Sequence, residues 1–287
     1  MKTNIFVLTE DLNFFYRLNK ELQQLQIKFK VLNLRTMIPD IPGSIILTTL
    51  KELKNFENLD RVKCNILSYA KEEDFEQYIV KILAVKKIGN KFYSELIFSI
   101  DPGTKHLGLV IFLDDYYLNS HTIFEKDRFI EVIRRYVNAL QENNQNPFKL
   151  IFKFGGGIIP ITINLIEQLF KNFKKESFKL LLIDEARTSK YRIRDESRKK
   201  IPKDEAAALI ISLRDGFEIT YENYKTILNQ KKKSKINKER LDNKFTGSND
   251  EIDLKLIEIA ENVLKGNISL SKSMELLKTE KFNYKTL

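Results

Sequence analysis

The chain has 287 residues, of which 43% are hydrophobic, enough for a sizeable buried core and more than a typical single domain holds. Its formal charge of +10 favours a polyanionic partner, most simply nucleic acid. The single cysteine, Cys64, excludes a disulfide framework and a zinc site built from thiolates. No segment has the pattern of a signal peptide or a membrane span, so we expect a cytoplasmic protein without a membrane partner.

The first 90 residues alternate short apolar runs with amphipathic segments. Strand patterns occur at 4–9, 29–34, 44–49 and 62–69, and helix patterns at 12–25 and 72–89. This alternation predicts a small parallel α/β domain over residues 1–90. Glu10 and Asp11 follow the first strand, a faint resemblance to receiver or flavodoxin-like domains, but no aspartate ends the third strand. We therefore interpret the domain as a docking or dimerisation module.

A second domain is predicted over residues 91–224. Three consecutive strand patterns at 95–101, 107–114 and 116–124 indicate an antiparallel meander. A helix, a strand, a helix, a strand and a helix follow at 127–142, 149–155, 162–173, 178–184 and 204–216. Three strands followed by αβαβα is the element order of the ribonuclease H-like fold, an α/β fold that we predict for this domain.

The last part of the chain changes in character. Residues 225–250 are polar and basic and are predicted to be a linker. Two short helix patterns in 251–287 are separated by Gly266 and Asn267. We favour a helical hairpin docked on its own protein, with a DNA-binding helix-turn-helix as the alternative.

Acidic residues mark three element boundaries of the second domain. Asp101 ends the first strand, Asp184 and Glu185 end the strand FKLLLID, and Asp204 and Glu205 open the last helix. In the predicted fold these positions meet at one edge of the sheet, where carboxylates repel each other unless a divalent cation lies among them. Two Mg²⁺ or Mn²⁺ ions held there could activate water against a phosphodiester.

These segments resemble the three signature segments of the RuvC/YqgF family of ribonuclease H-like nucleases, over about residues 95–217. The first segment, I-D-x-G-x-x-x-x-G, is matched by Asp101, Gly103 and Gly108. The second, D-E-R with small hydroxyl residues, is matched by Asp184, Glu185, Thr188 and Ser189, and the third by Asp204, Ala206 and Ala208. The chain departs from the resolvases at Lys153, where the fourth strand would end in a glutamate, and at Ala207, where they have a second aspartate.

The resemblance implies a divalent-metal-dependent endonuclease in which Asp101, Glu185 and Asp204 are catalytic and bind two metal ions. Asp184 and Glu205 are neighbouring carboxylates that could take part in the same metal site. Branched DNA such as a Holliday junction is the favoured substrate, with a role in DNA recombination and repair. A YqgF-like nuclease for structured RNA and a catalytically degenerate nucleic-acid-binding scaffold are the alternatives. A nucleotide-hydrolysing member of the actin-like ATPase group is a weaker one, because that fold duplicates the domain and this chain has one copy of the motif set. A homodimer stays open, since symmetric cutting of two strands needs two sites.

Basic residues crowd the segment 187–203, between the second and third acidic boundaries. A basic segment beside a carboxylate site can neutralise phosphates, whereas a solvated charge run is the alternative. DNA is favoured over RNA as the partner. The predicted nucleic-acid ligands are Lys105, Arg187, Lys190, Arg192, Arg194, Arg198, Lys199, Lys200 and Lys203.

Overall fold

The computed structural model describes residues 4–33, 42–54, 63–89, 93–142, 147–174, 177–184, 191–195, 199–230 and 250–283. It divides the chain into two compact units, Met1–Phe92 with Arg135–Gln145, and Tyr93–Arg134 with Asn146–Leu287. Each unit has its own β-sheet, and the α/β class is as predicted. No helix in the described ranges is long and apolar enough to cross a membrane.

The smaller unit contains a four-stranded parallel sheet in the order β2-β1-β3-β4. Its central strands β1 and β3 are buried along their whole length, which explains the apolar run of β1 and the start of β3 at Ile45–Leu47. Helix α3 ends at Gly89, which has a φ of 85°, as its position after the apolar pattern predicts. The elements are β1 (Ile5–Leu8), α1 (Leu12–Gln24), β2 (Lys30–Leu32), β3 (Ile45–Thr49), α2 (Leu50–Leu53), β4 (Asn65–Tyr69) and α3 (Phe75–Ile88).

The larger unit contains a six-stranded mixed sheet in the order β10-β9-β8-β5-β6-β7. Strands β5, β6 and β7 form the antiparallel meander, β8 and β9 continue the sheet parallel to β5, and β10 pairs antiparallel with β9. The elements are β5 (Glu95–Pro102), β6 (Leu107–Leu113), β7 (Tyr116–Ile123), β8 (Lys149–Gly155), α5 (Ile159–Asn172), β9 (Phe178–Ile183), α6 (Lys203–Ser212), β10 (Gly216–Ile219), α7 (residues 224–230), α8 (Asp250–Leu264) and α9 (Leu270–Asn283). Helix α4 (Phe129–Gln141) is divided between the units: its residues up to Arg134 belong to the larger unit and those from Arg135 to the smaller one.

Helix α6 packs closely on the sheet of the larger unit. Its alanines Ala206, Ala207 and Ala208 are all buried, and small side chains let the helix approach the strands. The Ser99 hydroxyl on β5 donates a hydrogen bond of 2.7 Å to the Ala208 carbonyl oxygen in the middle of α6. This contact identifies the face of β5 on which Ser99 lies as the face that α6 covers.

The two terminal helices pack on the same unit. Leu256, Ala260 and Val263 of α8 belong to the buried cluster that also contains apolar residues of α6. The Asp115 carboxylate, in the turn between β6 and β7, accepts a 2.7 Å hydrogen bond from the Ser271 backbone N–H at the start of α9. The described part of the tail is therefore a helical hairpin whose apolar face is buried against its own protein.

Three features differ from the elements expected from the sequence. Residues 225–230, predicted to belong to the linker, lie in helix α7, where the buried side chains of Tyr224 and Leu228 hold them to the protein. Helix α6 ends at Ser212, where 204–216 was predicted to be helical, because the chain turns and residues Gly216–Ile219 form the edge strand β10. The short helix α2 was also missed. Its sequence signal is the capping box between Thr49 and Glu52, which is present in full.

Candidate functional site

The turn that follows β5 begins at Gly103 and requires glycine there. The Gly103 N–H donates a 3.0 Å hydrogen bond to the Asp101 carbonyl oxygen, which closes a tight turn. A Cβ atom on Gly103 would lie 2.3 Å from the carbonyl oxygen of His106, so no other residue fits without a backbone shift. The turn holds Asp101 at the end of the strand, directly opposite Gly108 on β6.

Helix α6 begins against Gly108. A Cβ atom there would lie 1.9 Å from the Asp204 carbonyl oxygen, so only glycine allows the first turn of the helix to approach β6 this closely. Residues directly opposite each other in an antiparallel pair project to the same face of a sheet. Asp101 is therefore on the face covered by α6, and the structure brings Asp101 and the start of α6 to the same end of that face. The side chains of Asp101 and Asp204 are both half-buried.

Glu205 holds α6 on the sheet. Its carboxylate accepts hydrogen bonds of 2.5 Å from the Ser120 hydroxyl and 2.8 Å from the Thr122 hydroxyl, both on β7. The side chain is buried, with 9% of its surface exposed. Each oxygen thus has a protein donor, and the geometry is that of a structural carboxylate. Sequence reasoning missed Ser120 and Thr122, because hydroxyl residues in a strand carry no distinctive signal.

Asp184 follows the end of β9 and is exposed. Its carbonyl oxygen accepts a 2.7 Å hydrogen bond from the guanidinium of Arg214. Four of the predicted site residues, Glu185, Arg187, Lys190 and Arg198, lie outside the described residues.

The predicted two-ion centre stays a prediction, because Glu185, one of its three catalytic carboxylates, lies outside the described residues. Within the described ranges, no group of three or more histidine, cysteine, aspartate or glutamate side chains is arranged to hold a metal ion. Glu205, one of the predicted ligands, uses its oxygens for Ser120 and Thr122. We derive no chemical step through Mg²⁺ or Mn²⁺ for this site.

Lys153 on β8 is buried among the strands and α6, with 5% of its surface exposed. Its ammonium donates hydrogen bonds to the carbonyl oxygens of Ser212 (2.5 Å) and Arg214 (3.3 Å), at the C-terminal end of α6. The helix dipole and these two carbonyls favour the charged form. Burial acts more strongly in the opposite direction and lowers the pKa of Lys153 to about 8. The residue that departs from the nuclease pattern is therefore a helix-capping lysine.

The described part of the basic segment is an anchored hairpin. The Ile201 N–H donates to the Ile193 carbonyl oxygen (3.1 Å), and Arg194 pairs with Lys200 in an antiparallel bridge. Tyr191 and Ile193 are buried in the cluster beneath α8, whereas Arg192 and Arg194 alternate with them and are exposed. On α8, the Glu261 carboxylate accepts a hydrogen bond from the Arg194 backbone N–H (3.2 Å).

This hairpin leads directly into α6. The exposed side chains of Lys199, Lys200 and Lys203 precede Asp204. The predicted ligand Lys105 is also exposed, in the turn after β5. The described basic residues of this segment therefore lie on a hydrogen-bonded backbone that continues into α6, the helix that begins at the same end of the sheet as Asp101.

Comparison with solved structures gives weak likenesses, among them an exopolyphosphatase and a member of the Ppx/GppA family. No protein-family model matches the chain, and no curated protein matches it. An exopolyphosphatase from Cytophaga hutchinsonii matches at 11% identity and a TM-score of 0.17, over 57% of this chain and 56% of that protein. The chain thus spans little more than half the length of that exopolyphosphatase. A Ppx/GppA family member from Aquifex aeolicus matches at 10% identity and a TM-score of 0.15, over 78% and 81%.

These comparisons correct the sequence-based interpretation. These two structures are an exopolyphosphatase and a Ppx/GppA family member, not RuvC/YqgF nucleases, so the expected family is wrong. The endonuclease activity, the Holliday-junction substrate and the role in DNA recombination and repair, which were carried over with that family, are wrong as well. The expected endonuclease and the matched exopolyphosphatase have in common that both are hydrolases. With TM-scores of 0.17 and 0.15, neither likeness carries an argument about what this chain binds.

Proposed function

We propose that the larger unit binds nucleic acid, DNA in preference to RNA, through the basic hairpin of residues 191–195 and 199–202. The observation that carries the proposal is the alternation along this hairpin. Tyr191 and Ile193 are anchored in the core while Arg192 and Arg194 project outward. Cations on an ordered backbone lose less conformational entropy on binding than cations on a mobile tail.

The charges of the hairpin are available for a ligand. Within the described part of the chain, the side chains of Arg192, Arg194, Lys199 and Lys200 form no ion pair. The formal charge of +10 adds a long-range attraction for polyanions. Contacts of this kind bind phosphates without reading the base sequence, so we propose sequence-independent binding.

We also propose a ribonuclease H-like arrangement for the larger unit. The support is the element order, in which the meander β5-β6-β7 is followed by α4, β8, α5, β9 and α6. This proposal concerns the scaffold, and the binding proposal does not depend on it.

The test is fluorescence anisotropy with labelled duplex DNA and single-stranded RNA between 50 and 200 mM salt. Each phosphate contact contributes about −0.9 to the slope of log K against log salt for duplex DNA. Replacing Arg192 and Arg194 with glutamine should therefore make the slope shallower by about 2. The matched control replaces Lys171 and Lys174, two exposed lysines at the end of α5 and just beyond it, and should leave the slope unchanged.

Two results would contradict the proposal. One is an unchanged slope in the Arg192/Arg194 variant, which would place the contacts elsewhere. The other is the absence of DNA binding at 50 mM salt, whether or not polyphosphate binds; polyphosphate is the comparison polyanion because one matched structure is an exopolyphosphatase.

A further inference from the structure

The strand order of the smaller unit creates a crevice at one edge of its sheet. From β1 the chain crosses through α1 to β2 on one side, whereas β3 lies on the other side of β1. In open α/β sheets, ligands bind outside the carboxyl ends of strands at such a reversal of strand order. A crevice of about 1010 Å³ lies there, lined by residues that follow β1, β3 and β4. Its volume is that of a small-molecule site.

The strand ends beneath the crevice already hold a carboxylate. Glu52 accepts hydrogen bonds from the Glu10 N–H (2.6 Å), the Thr9 hydroxyl (2.8 Å) and the Thr49 hydroxyl (2.6 Å). Burial tends to raise the pKa of Glu52, but these hydrogen bonds outweigh it and the pKa is lowered. Asp11 likewise accepts from the first N–H groups of α1. The donors at the strand ends are therefore occupied by the chain itself, and an anionic group of a ligand must lie further out.

Carboxylates and cations both line the crevice: Glu10, Asp11, Glu52 and Glu72 are matched by four basic side chains. Arg17, Lys51, Lys54 and Lys71 are exposed lining residues. None of them forms an ion pair with another described residue. The guanidinium of Arg17 lies 4.1 Å from the centre of the Phe75 ring, and this cation–π contact orients the Arg17 side chain in the lining of the crevice.

Aromatic rings form the apolar part of the lining. Phe14 and Tyr69 are stacked at 5.4 Å with an angle of 9°, and Phe75 lies edge-on to Tyr69 at 5.3 Å. Tyr69 is half-buried, and 40% of the Leu50 surface is exposed beside it. Because Phe14 and Phe75 are buried, the apolar surface open to a ligand is that of Tyr69 and Leu50. Such a surface, in a crevice that is also lined by cations without ion-pair partners among the described residues, suits a ligand that combines a planar ring with phosphate groups.

We propose that this crevice binds a nucleotide, with its base against Leu50 and Tyr69 and its phosphates on Lys51, Lys54 and Lys71. The site is built from residues of the smaller unit alone and does not depend on nucleic-acid binding by the basic hairpin. It gives the smaller unit a small-molecule ligand in place of the docking role expected from the sequence.

The experiment is isothermal titration calorimetry of the full chain with ATP, adenosine and inorganic triphosphate. ATP should bind with 1:1 stoichiometry and more tightly than either fragment. Replacing Lys51 and Lys54 with glutamine should weaken ATP binding about tenfold or more and leave adenosine binding unchanged, since two charge-assisted contacts to the phosphates are lost. Leu50→Ser should weaken ATP and adenosine alike.

Two controls separate this site from other basic surfaces. Replacing Lys20 and Lys30, exposed lysines of the same unit outside the crevice lining, should leave ATP binding intact. So should the Arg192/Arg194 variant, which is designed to impair nucleic-acid binding. No saturable binding of ATP at about 1 mM would overturn the proposal. Equal affinity for ATP and inorganic triphosphate would also overturn it, because the ring would then contribute nothing.

Discussion

The buried lysine of the larger unit should give the protein an unusual dependence of stability on pH. The pKa of Lys153 is about 8 in the folded protein, compared with 10.5 for an exposed lysine. Between these two values the unfolded chain holds a proton that the folded protein has released. Raising the pH through this range therefore favours the folded state. Replacing Lys153 with methionine, a side chain of similar length without an ionisable group, should remove this dependence.

The size of the effect follows from the two pKa values. The difference of 2.5 between them, 10.5 minus 8, means that charging Lys153 in the fold opposes stability by roughly 3 kcal/mol at pH 7. At pH 9.5, where the folded lysine is almost entirely neutral, the opposition falls to about 1.5 kcal/mol. The wild-type protein should thus gain about 2 kcal/mol relative to Lys153→Met over this interval.

Urea denaturation followed by far-ultraviolet circular dichroism, at half-unit steps from pH 7 to 9.5, would measure this gain. The smaller unit is the same in both proteins, so its contribution cancels in the difference. The series should stop below pH 10. Burial raises the pKa of Tyr93 to about 12, so above pH 10 the unfolded chain loses this proton while the folded protein keeps it, and stability then falls with pH. Lys171→Met, which removes an exposed lysine from α5, provides the control and should follow the wild type.

The reasoning is refuted if the wild type and Lys153→Met change in parallel across the interval. A wild-type stability that falls between pH 7 and 9.5 relative to the variant would refute it too. That result would mean that the carbonyls of Ser212 and Arg214 favour the ammonium more than burial disfavours it.

Further substitutions test the packing of both units by urea denaturation. Gly108→Ala should destabilise the larger unit by about 3 kcal/mol, because its new methyl group would meet a backbone oxygen of α6 at 1.9 Å. Glu205→Ala should cost about 2 kcal/mol by leaving two hydroxyls of β7 without their acceptor, and Glu205→Gln less than half of that. Asp115→Ala should cost about 1 kcal/mol and expose α9 to limited proteolysis, since its carboxylate caps that helix. Glu52→Ala should destabilise the smaller unit by about 2 kcal/mol, because the donors that bind its carboxylate lose their acceptor. Acetate or phosphate at about 0.1 M should restore part of this loss by binding the same donors, and Lys51→Ala, the control, should show no such recovery.

Much of the secondary structure could be predicted because it depends on local pattern. The buried strand β1 is an uninterrupted apolar run, β3 begins with one, and Gly89 stops α3 where the helical pattern ends. The short strand β10 was not predictable in the same way. It contains the exposed Phe217 and Glu218 and exists because β9 offers an unpaired edge, a condition that is set by the tertiary structure.

The candidate site shows a different limit. Sequence placed Asp101 and the start of α6 at one end of the sheet, and pairing of Asp101 with Gly108 brings them there. It could not distinguish a carboxylate that faces a ligand from one that holds the fold together. Glu205 is of the second kind because hydroxyls of β7 lie opposite it, and their approach depends on the register of β6 with β7.

The same distinction explains why the nuclease resemblance was misleading. In the first signature segment, the packing alone requires both glycines. Gly103 lies against the carbonyl oxygen of His106, and Gly108 lies against that of Asp204. The small residues of the third segment, Ala206 and Ala208, are required by the close approach of α6 to the sheet. Any sheet with a strand turn and a tightly packed helix at this place would select the same pattern, whatever the chemistry at its edge. The informative positions are therefore those that packing leaves free, and here they are the exposed cations of the basic hairpin and of the crevice in the smaller unit.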